Sequence, residues 1–471
     1  MSEFMTLFSA AATGFLAAGI LFLLFWKPLI NFYVDAFIKR LLKDPYPENI
    51  GEMYNVFAKV GVQNILETDL RGTTGEPLQR PFGTPRRYSP WDQILFNPVY
   101  LTRKPVLEAI DIDTKVTLGP AAKRPLTIRT PIMIAGMAYG FALSYRAKIA
   151  LAKAADQAGT ATNTGVGPFL ADERKCAKHL IIQYHRGNWG KEPEALRQAD
   201  MIEINLGYGA LGSAPRTARW RDLSPEFRAY MHLKPGQNLT EEATLPDVQN
   251  GAELKELVDR LRMLTNGVPI GIKFGATQNL ERELEVFTGA GIDFLSVAGS
   301  ESGINYGPAI LADDTGLPTL PALCRTVRFL ESRGLKGKIS VIISGGLYTP
   351  GHFLKSLILG ADAVAVGTIA VLALAHAQLA KVIPLEPPTE LVYDNGKSRN
   401  LFDIEKGAKS VENFLKSSGD EIILALRTLG KTSLKNAAKS DLCALTPETA
   451  RMAGIELALF GPAESKTGGH G

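Results

Sequence analysis

The sequence predicts an α/β protein built on a (β/α)8 TIM barrel, with an N-terminal transmembrane helix and a C-terminal helical extension. Three observations carry this. From residue 130, short apolar runs alternate with helical stretches eight times. Most of those runs end in small or polar residues, as barrel strands do where they reach a functional rim. Ahead of them, LFSAAATGFLAAGILFLLFW (7–26) carries no charge over about one bilayer span.

The first element is that run. Glu3 precedes it, and Phe25-Trp26-Lys27-Pro28 follows where a cleaved leader would place small residues. The reading is an uncleaved anchor. Lys27, Lys39, Arg40 and Lys43 follow the span, so the positive-inside tendency puts the catalytic domain in the cytoplasm of a single-pass protein. A buried helix of a soluble fold is the alternative. NFYVDAFIKRLL (31–42) reads as a juxtamembrane amphipathic helix, completing a segment 1–43. Residues 44–129 are rich in Pro, Gly and charge and read as an irregular lead-in that packs on the barrel.

The barrel is assigned to 130–380. Its strands are PIMIAGM (131–137), GTATNTG (159–165), HLIIQYH (179–185), MIEINLG (201–207), PIGIKFG (269–275), DFLSVAG (293–299), KISVIIS (338–344) and DAVAVGT (362–368). Strands alternating with helices imply parallel βαβ units. The loop 208–250 is long enough to be functional or to hold structure of its own. Residues 381–471 read as the helical extension.

Composition narrows the function classes. Lysine plus arginine total 52 against 48 acidic residues, and no arginine-rich run occurs, so no nucleic-acid partner is expected. Cys176, Cys324 and Cys443 lie far apart and form no CxxC pair, so no disulfide framework or metal site is expected. His376 on an apolar helical run reads as a packed surface histidine.

The strand ends hold the candidate chemistry. The first offers Gly136, Met137 and Ala138, a small-residue loop over which a flat ring can lie. The second and third offer Asn163 and Gln183, then His185 and Arg186. The fifth offers Lys273, whose charge is costly inside an apolar strand without a partner. That partner is an electron-rich heterocycle or, in the structural alternative, Glu203. The seventh and eighth, in VIISGGLYTPGHF and GADAVAVGT, end in Ser344-Gly345-Gly346 and Gly367-Thr368. Such glycines make tight turns. After strands seven and eight of a barrel they also build phosphate sites with a helix N-terminus, and the placement favours the phosphate.

IAGMAYGFALS, NTGVGP, the lysine of GIKFG, SGGLYTPG and GADAVAVGT, in this order, resemble the FMN-binding domain of the glutamate synthase family and its stand-alone relatives. The resemblance continues to LGKTSLKNAAKSDLCALTPETARMAGI. It implies that backbone near Met137 and Ala138 faces the flavin ring. It implies that Asn163 and Gln183 bond the flavin edge, and that Lys273 stabilises the reduced ring. Ser344, Gly345, Gly346, Gly367 and Thr368 would hold the FMN phosphate.

The departures are as informative. Where the family carries iron–sulfur cysteines, this chain reads IAVLALAHAQLAKVIPLEPPTELVYD, so no cluster is expected. The substrate loop reads NLGYGALGSAPR, with Asn205 and Leu211 in place of two lysines and Tyr208 in place of a glutamine. The loops after strands four and six offer Tyr208 and Glu301 as catalytic candidates beside Lys273, and Glu203, Arg216 and Asn305 as substrate contacts, with plain loop structure as the alternative for each. The implied reaction belongs to glutamate biosynthesis: reduction of a 2-imino acid, from 2-oxoglutarate plus ammonia, or oxidation of a related amine or amino acid. Without a cluster or a nicotinamide fingerprint, electrons would come from a membrane quinone or a separate reductase. The competing reading is a membrane-tethered flavin-binding electron-transfer or scaffold subunit without amino-acid turnover.

Overall fold

The computed structural model describes residues 2–45, 48–49, 51–383 and 387–459. The last stretch of the expected C-terminal extension therefore lies outside the described residues. The chain divides into two units, Met1–Leu78 and Gln79–Gly471.

In the first unit, one helix runs from Ser2 to Lys43 and passes through Pro28. The stretch 31–42, expected as a separate juxtamembrane helix, is thus a continuation of this same helix. The segment Phe4–Lys43 is long and apolar enough to cross a membrane. Two further helices, Glu52–Val60 and Val62–Thr74, meet at Gly61, whose φ of 82° turns the chain at no steric cost. Within the lead-in read as irregular over 44–129, the stretch 52–74 is therefore helical. Met53, Val56, Phe57 and Val60 recur at helical spacing, and the Pro- and Gly-rich flanks hid that period.

The second unit holds the eight-stranded sheet. Its strands are β1 Ile132–Ile134, β2 Ala161–Asn163, β3 His179–Tyr184, β4 Met201–Asn205, β5 Ile270–Gly275, β6 Phe294–Ala298, β7 Ser340–Ser344 and β8 Ala363–Val366. The neighbouring pairs run parallel, from β2–β3 through β7–β8 and back to β1. At the remaining seam the Thr160 hydroxyl donates to the Ile132 carbonyl at 2.8 Å. Each of the eight runs read from the sequence contains one of these strands.

Alternation along each strand sorts the side chains. Ile182, Ile202, Ile204 and Ile272 point outward into the layer shared with the helices. Ile181, Met201, Phe294 and Ile342 fill the interior, closed below by the hairpin Val116–Leu118 and Leu126–Ile128. Gly271 makes room for this packing, since a Cβ there would lie 2.4 Å from the Phe294 ring. The inward positions nearer the rim are polar: Gln183, Glu203, Asn205 and Lys273.

The long loop after β4 carries an antiparallel pair, Arg216–Ala218 with Leu239–Glu241, and a short helix, Pro225–Tyr230. Beyond the barrel, helix Ile404–Thr428 is capped by Asp403, which accepts from the Lys406 N–H. The extension is not wholly helical. Leu442–Ala444 pairs with both Ile94–Phe96 and Glu456–Leu457.

Candidate active site

A cleft opens at the C-terminal ends of the strands, with about 1080 Å³ of empty space including its mouth. Its floor is Gly136, Met137 and Ala138 after β1, with Gln183 of β3 and Lys273 of β5 beside them. Ser344, Gly345 and Gly346 after β7, and Gly367 and Thr368 after β8, form its far end. Arg216, Tyr208, Glu301 and Asn305 complete the wall from the loops after β4 and β6. Of the residues read from the sequence at the strand ends and loops, Asn163, Glu203, His185 and Arg186 do not line it and are buried.

The far end has the features of an anion cradle. Gly345 has a φ of 117°, and a Cβ there would lie 2.6 Å from Thr319 Oγ1 and 2.9 Å from Ser302 Oγ. Both of those hydroxyls are buried without a hydrogen-bond partner. Gly367 precedes the helix Thr368–His376, whose first N–H groups have no intrahelical acceptors. Convergent glycines, a helix start and the unsatisfied Ser302 hydroxyl on the cleft wall are a donor set that a phosphate monoester satisfies, while Thr319 lies buried behind Gly345. Neither Ser302 nor Thr319 was found from the sequence. The serine in SESG after the sixth strand was the available signal for Ser302.

Lys273 makes no ion pair or side-chain hydrogen bond among the described residues. Glu203, its structural alternative, is engaged elsewhere: Oε1 accepts from Asn163 Nδ2 at 2.9 Å and from Gln183 Nε2 at 2.6 Å. The ammonium therefore belongs to the cleft rather than to a buried pair.

Arg216 donates to Asn305 Oδ1 at 2.7 Å and to the Phe141 carbonyl at 3.1 Å. Asn305 Nδ2 donates to the same carbonyl. A guanidinium has five N–H donors in a fork that matches a carboxylate, so this one keeps donors for a ligand.

Tyr208 and Glu301 are held differently from a free acid or base. The Tyr208 hydroxyl lies 2.9 Å from both Glu241 oxygens, and Glu241 pairs with the fully buried Arg186. Burial, followed by the Glu241 charge, pushes the phenol pKa well above its ordinary value. Glu301 Oε1 accepts from the Tyr88 and Ser89 N–H groups at 3.0 and 2.6 Å. Its Oε2 accepts from the Ser89 hydroxyl at 2.7 Å and the Thr319 N–H at 2.9 Å. No spacing in the sequence joins residues 88–89 to Glu301, or Glu241 to Tyr208.

The fold and site define a (β/α)8 barrel with a phosphate-type cradle and a lone ammonium in one rim cleft. The conserved region in glutamate synthase matches residues 87–432. The chain belongs to the glutamate synthase family of FMN-type barrel oxidoreductases. A glutamate synthase large subunit-like protein of Rhizobium meliloti is 31% identical over 414 residues, covering 84% of this chain and 93% of that one. The archaeal glutamate synthase (NADPH) of Archaeoglobus fulgidus is 31% identical over 265 residues, and the match spans 51% of its length. Among solved structures, a flavocytochrome b2 double mutant with pyruvate bound aligns over 93% of this chain and 96% of its own, at 14% identity and TM-score 0.49. A mandelate oxidase mutant with an FMN adduct aligns over 74% of this chain and 87% of its own, at 16% identity and TM-score 0.46.

Proposed function

We propose that this chain binds FMN and reduces a 2-imino acid, formed from 2-oxoglutarate and ammonia, to glutamate, or oxidises a related amine or amino acid. One observation carries the reading: the Lys273 ammonium, without a partner among the described residues, shares a cleft with the glycine cradle after β7 and β8. When bound, FMN supplies a ring that exchanges hydride at N5 with the substrate carbon.

The chain's own residues supply the rest. Gly345, Gly346, Gly367 and Thr368 hold the phosphate, with Ser302 as a further donor. Lys273 places fixed positive charge where a reduced ring carries negative charge. Arg216, steadied by Asn305, takes a substrate carboxylate. Tyr208 and Glu301 act as positioning residues. Tyr208 packs the loop against the buried Arg186–Glu241 pair, and Glu301 ties residues 88–89 to the start of helix Thr319–Ser332.

The helix Ser2–Lys43 anchors the chain in a membrane with the barrel in the cytoplasm, and the basic residues after the span support that orientation. A membrane quinone or a separate reductase is the electron partner.

The test begins with the full chain in mild detergent, scored for a flavin absorbance spectrum. The reduced protein is then mixed with 2-oxoglutarate plus ammonia. Flavin reoxidation with glutamate formed is the expected result. A chain that takes up no FMN removes the reading. Bound FMN without turnover leaves a flavoprotein and removes the amino-acid chemistry.

A further inference from the structure

Three adjacent strands carry a row of four buried polar side chains. Asn163 of β2, Gln183 of β3, and Glu203 and Asn205 of β4 are each 3% exposed or less. Glu203 Oε1 accepts from Asn163 Nδ2 at 2.9 Å and from Gln183 Nε2 at 2.6 Å. Gln183 Oε1 then accepts from Asn205 Nδ2 at 3.1 Å. Asn205 Oδ1 ends the row without a partner. Asn163 is oriented independently, because its Oδ1 accepts from the Gly165 N–H at 2.9 Å.

This row has a polarity, and one residue sets it. A carboxylate only accepts, whereas a primary amide can face a neighbour with either end. Glu203 therefore forces the nitrogen of Gln183 inward, and Asn205 must in turn donate. An orphaned buried oxygen on Asn205 is costly, so the row is not arranged for Asn205's own satisfaction. Of the four, Gln183 is the member that lines the cleft. Its Nε2 lies beside Gly136, where a Cβ would come within 2.7 Å of it. One Nε2 proton goes to Glu203, and the second remains free at the cleft floor.

We propose that Glu203 is a positioning residue whose charge fixes Gln183 as a hydrogen-bond donor to the bound ring, rather than as an acceptor. This rests on the FMN reading and replaces the substrate contact expected of Glu203. A glutamine at 203 could donate to Gln183 Oε1, reverse that amide, and present an oxygen to the ring. A donor at a ring carbonyl stabilises the reduced, more negative form; an acceptor opposes it.

The experiment measures the flavin midpoint potential of the FMN-loaded full chain for wild type, E203Q, E203D and Q183L. E203Q should lower the potential, and E203D, which keeps an acceptor-only group, should stay nearer wild type. Q183L should also lower it, and the E203Q/Q183L double variant should fall short of the sum of the single shifts. If E203Q does not fold, Q183L and E203D still test the claim. A wild-type potential in loaded E203Q or Q183L overturns it, as does an E203D shift as large as that of E203Q. A wild-type chain that takes up no FMN overturns the cofactor reading beneath it, which is a distinct result.

Discussion

Arg216 and Asn305, brought together from loops after different strands, meet at 2.7 Å on the wall of the cleft. The contact sets the guanidinium plane, because Asn305 is itself tied to the Phe141 carbonyl that Arg216 also meets. A planar cation held this way is prepared for a planar anion. R216A should weaken 2-oxo acid binding by about ten- to a hundredfold, from loss of a charge-assisted contact worth about 1.5–3 kcal/mol. R216K should recover only part of it. Titration of the flavin spectrum with 2-oxoglutarate checks both. Unchanged affinity in R216A would remove Arg216 from the substrate site.

Lys273 gives the second prediction. With no partner for its ammonium among the described residues, its charge is available to the ring. K273A should lower the flavin midpoint potential, because the reduced ring loses a neighbouring positive charge. Redox titration of K273A with FMN bound is the measurement. A potential equal to wild type would mean that the ammonium does not act on the ring.

The eight strands were legible because strands of a parallel sheet covered on both faces read as near-continuous apolar runs. The cradle glycines were legible for a related reason: they interrupt such runs at one fixed place. Depth was not legible. A period of two places 201, 203 and 205 on one face of β4, but it does not say which of them reaches the cleft. Glu203 was therefore read as a substrate contact, although it lies under the floor. The roles of Glu301 and Tyr208 were hidden by distance. Their partners, Ser89 and Glu241, come from segments that only the closed barrel brings near.

His185 predicts an acid-side loss of stability. Its ring is buried, with Nδ1 accepting from the Gly187 N–H at 3.1 Å and Nε2 unsatisfied. Burial first, then the charges of Lys191 and Arg186, lower its pKa to about 3. In the unfolded chain it returns to about 6.5. Between those values the unfolded state binds one more proton, so stability falls as pH drops, by about 1.4 kcal/mol per unit. The contribution is complete above about 6.5 and declines toward about 3. H185N keeps an acceptor near Gly187 and has no such proton. The stability gap between wild type and H185N, from urea denaturation at pH 7.5, 6 and 5, should therefore shrink as pH falls. Parallel curves would show that the ring does not titrate in this way.

Gly345 and Gly367 separate a turn from a ligand site. At Gly345 the φ of 117° and the 2.6 Å approach to Thr319 Oγ1 make any side chain strained within the protein itself. G345A should cost more than about 1 kcal/mol of stability whether or not a phosphate binds. At Gly367 a Cβ would meet only Ala135 Cβ, at an ordinary 3.7 Å, with no positive φ to oppose it. G367A should therefore fold with near wild-type stability. If a phosphate rests on the N–H groups that open helix Thr368–His376, the added methyl group stands in its path, and FMN affinity should fall by tenfold or more. Melting temperature and FMN titration, measured on the same two variants, decide the matter. G367A that binds FMN as wild type does would leave the glycine after β8 as a turn and move the phosphate elsewhere.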